Sequence, residues 1–235
     1  MTKLSINLKK LRAIAMFASQ EDTRYYLNGV AVYHTTAGRL KLVATNGHLL
    51  GLLDLDGQDG YITSLGKDKP TPENSTVLII STKAIERAAR DTSVKWSGEK
   101  FLDIEAALPD GKSTAVVVGK KSANDDSTLL SDTVQSRVIV DGQFPDFQRV
   151  IPQAADGDFK RSMDSFNTEY LMKFQKAMKL MNCGPGITVI PNKTNTGPSL
   201  VITTCREFLG VIMPMRLDAP RDEAELSTVL GRVLK

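Results

Sequence analysis

Apolar residues in the segment SINLKKLRAIAMFAS (5–19) fall at Leu8, Leu11, Ala15 and Ala18, a helical spacing, and Ser5 or Asn7 is placed to cap the start. The polar face of that helix carries Lys9, Lys10 and Arg12. The period then shortens. YYLNGVAVYHT, RLKLVATN and HLLGLLDL predict three strands, with a turn around Gly38. Pro70 and Pro72 mark residues 64–76 as a loop, and VLIIS (77–81) predicts a strand. TKAIERAAR predicts a short helix with Ile85, Ala88 and Ala89 inward and Lys83, Arg87 and Arg90 outward. SVKWSG, FLDIEAAL, TAVVVG and SRVIVDG predict four more strands, with 120–135 a polar surface insertion. SFNTEYLMKFQKAMKLM predicts a third helix, capped by Asn167 and stapled by Phe166. Leu171, Phe174, Ala177 and Met178 form its apolar stripe, and Lys173, Lys176 and Lys179 project elsewhere. ITVIP, SLVITT and EFLGVIMPMRL complete another set of strands. The stretch from Asp218 to Lys235 predicts a short tail helix with Leu226, Val229, Leu230 and Val233 on one face. A helix followed by antiparallel strands thus recurs about three times without residue identity, an α+β architecture.

Composition narrows the function. The chain has 235 residues, 41% hydrophobic and 24% charged, enough for a real core and ordinary for a folded chain. No stretch approaches a signal peptide or a membrane span, so a cytoplasmic protein with no membrane partner is expected. Cys183 and Cys205 form no framework and are expected as packing or surface thiols in a reducing compartment. Two histidines, His34 and His48, are too few for most metal sites. No GxSxG, HExxH, CxxC or Walker sequence occurs, and GQDG (57–60) is a turn without a phosphate-binding context. No catalytic residue, metal or cofactor is therefore assigned, and an enzyme is the weakest of the readings.

Charge adds a positive indication. The net charge is only +3, yet all three helices are basic: Lys9, Lys10 and Arg12; Lys83, Arg87 and Arg90; Lys173, Lys176 and Lys179. Acidic residues gather instead in 54–59, 103–110, 124–126 and 218–225. Any one basic helix reads most simply as a solvated surface. Three of them lining one surface would attract a phosphate backbone without reading its sequence.

At these residues the chain resembles the bacterial sliding clamp, the beta subunit of DNA polymerase III. TRYYLNGV (23–30) is similar to a strand motif of the clamp's middle domain, and LVATNGHLL (42–50) to its VATDGHRL segment. VDGQFPDFQRVIP (140–152) resembles the stretch closing that domain, and VIMPMRL (211–217) the family's final residues. Each match alone is weak; four in the family's order are specific. The resemblance implies a DNA-clamp fold of βαβββ units, with basic helices facing duplex DNA and antiparallel sheets outside. It also implies a non-catalytic processivity factor, a homo-oligomer that tethers polymerase and clamp-loader peptides in an apolar pocket. Matching positions assign to that pocket Leu27, Thr45, Gly47, His48, Leu50, Pro152, Val211, Met213, Pro214, Met215 and Arg216. Methionines adapt to varied apolar ligands, and an arginine can fix a peptide backbone or carboxylate. For Leu27 and Val211, core packing is an equally good reading.

Departures qualify this expectation. Leu49 stands where the family has arginine, which would alter peptide choice, and Asn46 where it has aspartate. Residues 1–152 match the middle domain, 153–217 the second half of the last, and 218–235 form a tail without counterpart. The resemblance therefore implies a shortened clamp, such as a phage could encode. It holds three half-domain units, so four chains, not two, would supply the twelve of a family ring, and a three-chain ring or no ring are the alternatives. The functional rival is a clamp mimic that keeps the pocket and acts as a decoy for clamp-binding proteins without encircling DNA.

Overall fold

The computed structural model describes residues 2–35, 39–64, 76–90, 98–107, 112–125, 130–134, 137–152, 165–192 and 197–215. The first strand, β1 (Thr2–Asn7), runs into helix α1 (Leu8–Ala15), capped by the Asn7 side chain, which accepts from the backbone N–H of Lys9 and Lys10. Strands β2 (Gly29–His34), β3 (Leu40–Thr45), β4 (Leu49–Leu55) and β5 (Gly60–Ser64) follow. Then come β6 (Thr76–Ser81), α2 (Thr82–Arg90), β7 (Lys100–Ala107), β8 (Lys112–Gly119) and β9 (Leu130–Thr133). The last part holds α3 (Thr168–Leu180), β10 (Ile187–Ile190), β11 (Ser199–Thr203) and β12 (Phe208–Ile212). Short 3-10 turns occupy Asp22–Leu27 and Phe147–Val150.

Two antiparallel sheets result, one in the order β5-β1-β7-β8-β9 and the other β10-β11-β12-β4-β3-β2-β6. The second runs through without a break, because β12 pairs with β4 in the register Val211–Leu50 and Ile212–Leu49. The last helix-and-strand unit therefore shares its sheet with the first. Alternation along the strands divides that sheet into two faces. Val30, Val32, Leu40, Leu42, Leu49 and Leu53 join α1, α2 and α3 in the main core. Ala31, Tyr33, Val43, Leu50, Ile79 and Val211 point the other way, into a smaller core closed by Phe144 and Phe147. Helix α1 packs between α2 and α3, so the three helices lie side by side.

Several expectations change. Of the two offered caps, Asn7 is the one used, and the residues before the helix form a strand that was not expected. Strand β1 lies between β5 and β7 and is buried at five of its six positions, so it lacks the alternation that identifies a strand. The start of YYLNGVAVYHT is a 3-10 turn, and the strand begins at Gly29. Strand β5 was not expected at all, since Gly60–Ser64 carries only Tyr61 and Ile62 as large apolar residues. The supposed insertion at 120–135 contains β9, which pairs with β8. The described residues of SRVIVDG, 137–142, form an isolated bridge from Ile139 to Ile80 with two flanking backbone bonds. Most of SVKWSG, and the tail from Asp218 to Lys235, lie outside the described residues. Cys183 and Cys205 are not separate thiols but a disulfide, because the β10–β11 hairpin brings residues 22 apart to a Cα–Cα distance of 5.7 Å.

One ion-pair cluster ties the elements together. The Lys10 ammonium lies 2.7 Å from Asp59, in the β4–β5 turn, and 2.8 Å from Glu207, beside β12. Burial pulls its pKa down, but hydrogen bonds and charge from the two carboxylates outweigh that and hold it above 10.5. Its stabilising contribution is therefore complete below pH 10.5 and is lost as pH rises through the higher folded value. Lys10→Ala is expected to lower stability by about 1 kcal/mol, since it takes the cation from the part-buried Asp59, which keeps only the Asn7 amide as a side-chain donor, and from the exposed Glu207. Denaturant unfolding at pH 7 and above pH 10.5 checks it, because the deficit should shrink at the higher pH.

Candidate nucleic-acid groove and peptide pocket

On the helical side, the end of α1, the middle of α3 and the start of α2 frame an open groove of about 1170 Å³. Arg12, Lys83, Lys173 and Lys176 line it, from all three helices, together with Arg137. Helical geometry explains the convergence. Buried Leu11, Ile14, Ile85, Phe174 and Ala177 fix one face of each helix on the core, which turns these cations outward. Arg12, Lys83 and Lys176 make no ion pair among the described residues. Lys173 is half-buried, and burial lowers its pKa against the opposing charge of Glu169. Its ammonium lies 6.0 Å from the Tyr170 ring centroid. Asp22, Glu86 and Asp141 also line the groove, so its charge is mixed with a basic excess.

The remaining basic residues stand differently. Lys9 pairs with Glu99 at 3.1 Å, Lys10 is held by Asp59 and Glu207, and Arg90 pairs with Glu86 on its own helix at 2.9 Å. Arg87 and Lys179 are exposed on α2 and α3 but do not line the groove.

Of the residues assigned to the pocket, Leu27, Leu50 and Val211 lie on the opposite face of the seven-stranded sheet, and His48 sits at its edge beside Tyr170 of α3. Leu27, Leu50 and Val211 sit in the smaller core, where Leu50 faces both Thr45 and Val211 across strand pairs. The β3–β4 turn is built by Asn46, whose side-chain oxygen accepts from the N–H of His48 (2.9 Å) and Leu49 (3.0 Å). Its amide thus supplies the acceptor an aspartate would. Gly47 takes φ +90°, and a Cβ there would lie 2.9 Å from the Arg24 guanidinium. The Met213 N–H donates to the His48 carbonyl at 2.8 Å, binding this turn to the strand end. Met213 and Met215 are 39% and 48% exposed beside Pro214, an apolar rim next to a packed floor. Pro152 follows Ile151, which packs on the same floor. Arg216 lies outside the described residues.

Leu49 does not reach this face. It is buried among the helices, so its substitution bears on the core rather than on the pocket wall. Three neighbours were not anticipated. Tyr170 stacks on His48 with ring centroids 6.2 Å apart and planes 17° apart. Arg24 lies over Gly47, and Tyr25, 56% exposed, lines the groove. Arg24 and Tyr25 lie within the TRYYLNGV motif and could have been noticed there; nothing in local spacing links Tyr170 to His48.

Among the described residues, no group of three or more His, Cys, Asp or Glu side chains is placed to hold a metal ion. No helix among them is long and apolar enough to cross a membrane.

No family model matches the chain. It is similar to a beta sliding clamp of Pseudomonas aeruginosa, 30% identical over 180 residues, 73% of this chain and 41% of that protein. It is also similar to a beta sliding clamp of Proteus mirabilis, 27% identical over 147 residues, 62% of this chain and 32% of the relative. The chain thus spans less than half the length of these curated relatives. Among solved structures, the DNA polymerase III beta chain of Streptococcus pneumoniae superposes with a TM-score of 0.61 at 16% identity, covering 92% of this chain and 65% of that one. The beta subunit from Pseudomonas aeruginosa gives 0.57 at 22% identity, with 92% and 66% covered. These superpositions establish the fold, two antiparallel sheets with helices gathered on one face. In sequence and in fold, the chain is similar to the bacterial beta sliding clamps.

Proposed function

We propose that the chain is a non-catalytic, clamp-like processivity factor that associates with duplex DNA through the helical groove and tethers a replicative polymerase by a peptide in the opposite pocket. The observation that carries this reading is the convergence of Arg12, Lys83, Lys173 and Lys176 from three helices on one groove. A surface of this kind attracts phosphates without reading bases, as a protein that must slide requires. The pocket supports the second half of the reading. It has a packed apolar floor of Leu27, Leu50 and Val211, which point to the sheet face away from the helices, and two exposed methionines beside it. DNA and a tethered partner would then not compete for one surface. The structures similar to this chain include a Pseudomonas aeruginosa clamp bound to griselimycin, so a clamp of this fold takes a ligand.

The test is duplex binding by fluorescence anisotropy with several unrelated sequences. Equal affinities that weaken together as salt rises are expected. No duplex binding at low salt, with retained binding of short apolar peptides, would favour a pocket-only mimic that acts as a decoy.

A further inference from the structure

The chain has two cysteines, and the fold joins them at the outer end of the last helix-and-strand unit. Helix α3 ends where Asn182 takes a left-handed φ of 57°, and the N–H of Cys183 reaches back to the Met178 carbonyl at 2.9 Å. This reversal turns Cys183 out of the helix and towards the β11–β12 turn. Cys205 is held in that turn by Thr203, whose hydroxyl accepts from the Cys205 N–H at 3.2 Å, and the Phe208 N–H donates to the Cys205 carbonyl at 3.0 Å. The bridge therefore encloses the whole β10–β11 hairpin. Among the described residues, strand β10 is the last in its sheet and bonds to β11 alone.

Two features point beyond a static staple. Cys205 is 9% exposed while Cys183 is more open, so a dissolved thiol reaches one sulfur more readily than the other. Other contacts also hold the same two segments. The Thr204 N–H donates to the Gly186 carbonyl at 3.2 Å, and Phe174 and Met178 of α3 pack in the main core with Phe208. Breaking the bridge would leave the sulfurs near one another and free to re-form it.

We propose that Cys183 and Cys205 form a reversible redox latch that sets how firmly the β10–β11 hairpin is fastened to α3. Reduction consumes two molecules of a low-molecular-weight thiol. The first attacks a protein sulfur to give a mixed disulfide and one free protein thiol, and the second releases the other. Two electrons and two protons thus enter the protein, and one small-molecule disulfide leaves. The reverse exchange with that small disulfide closes the latch.

The full chain is equilibrated in glutathione buffers of increasing oxidised fraction, and free thiols are counted by alkylation and mass measurement. Two thiols should fall to none in a single step. Hydrogen exchange should show β10 and β11 amides at least about tenfold less protected in the reduced form, with the Phe174 region unchanged and protection restored on reoxidation. Cys183→Ser and Cys205→Ser should each exchange like the reduced protein, whatever the buffer. Two thiols that stay free in excess oxidised glutathione would overturn the proposal. Hairpin exchange independent of redox state would also overturn it, as would reduction that unfolds the whole chain irreversibly.

Discussion

Phe174→Ala is expected to cost about 3–5 kcal/mol of stability, the range for deleting a buried aromatic side chain. Phe174 is fully buried, and its ring centroid lies 4.9 Å from Phe17 and 5.9 Å from Phe208. Three elements meet there: the turn after α1, the middle of α3, and the start of β12. On the strand side the ring lies against Gly210, where an added Cβ would overlap it. Cross-strand from Gly210 is Gly51, whose added Cβ would meet the Phe17 ring at 2.8 Å. The two glycines therefore make room for the aromatic pair that docks the last helix on the shared sheet. Gly210→Ala alone should also destabilise, by overpacking. In a Phe174→Ala background the same change should cost much less, because the missing ring leaves space for the methyl group. Chemical denaturation of both single variants and the double variant measures the coupling; additive losses would mean that ring and glycine do not share one space.

The second large effect is electrostatic. Lys173→Glu with Lys176→Glu is expected to weaken duplex association by at least about tenfold at low salt, with the fold intact. Both lysines line the groove, and neither makes an ion pair among the described residues. Removing two phosphate contacts should flatten the dependence of log K on log salt by about 1.8, and the new carboxylates add repulsion. Lys9→Glu with Lys10→Glu makes the same charge change outside the groove. Its main consequence should be lost stability, because both side chains already hold carboxylates of their own chain.

The sequence made some of this plain and hid the rest for identifiable reasons. Helices α2 and α3 were legible because their apolar stripes face one core and their caps or basic faces are local features. Strand β1 was hidden because a strand buried on both sides has no period-two pattern, and its residues lead directly into α1. The disulfide was hidden because it depends on a hairpin between its two cysteines. Pocket residues could be named from motifs, yet which face each one joins depends on register. Leu49 and Leu50 are neighbours in sequence, and β4 sends the first to the helices and the second to the pocket floor. The stacking of Tyr170 on His48 joins residues far apart in the chain and required the β4–β12 pairing to be known. Of the basic residues, composition could not separate those that converge on a groove from those held by intrachain carboxylates.

The measurement closest to the central claim is a salt titration of duplex binding by the unmodified chain and by the Lys173→Glu, Lys176→Glu variant. The account predicts sequence-independent binding with a steep salt dependence for the first, and weaker binding with a shallower dependence for the second. Equal affinities and equal slopes for the two proteins would contradict it.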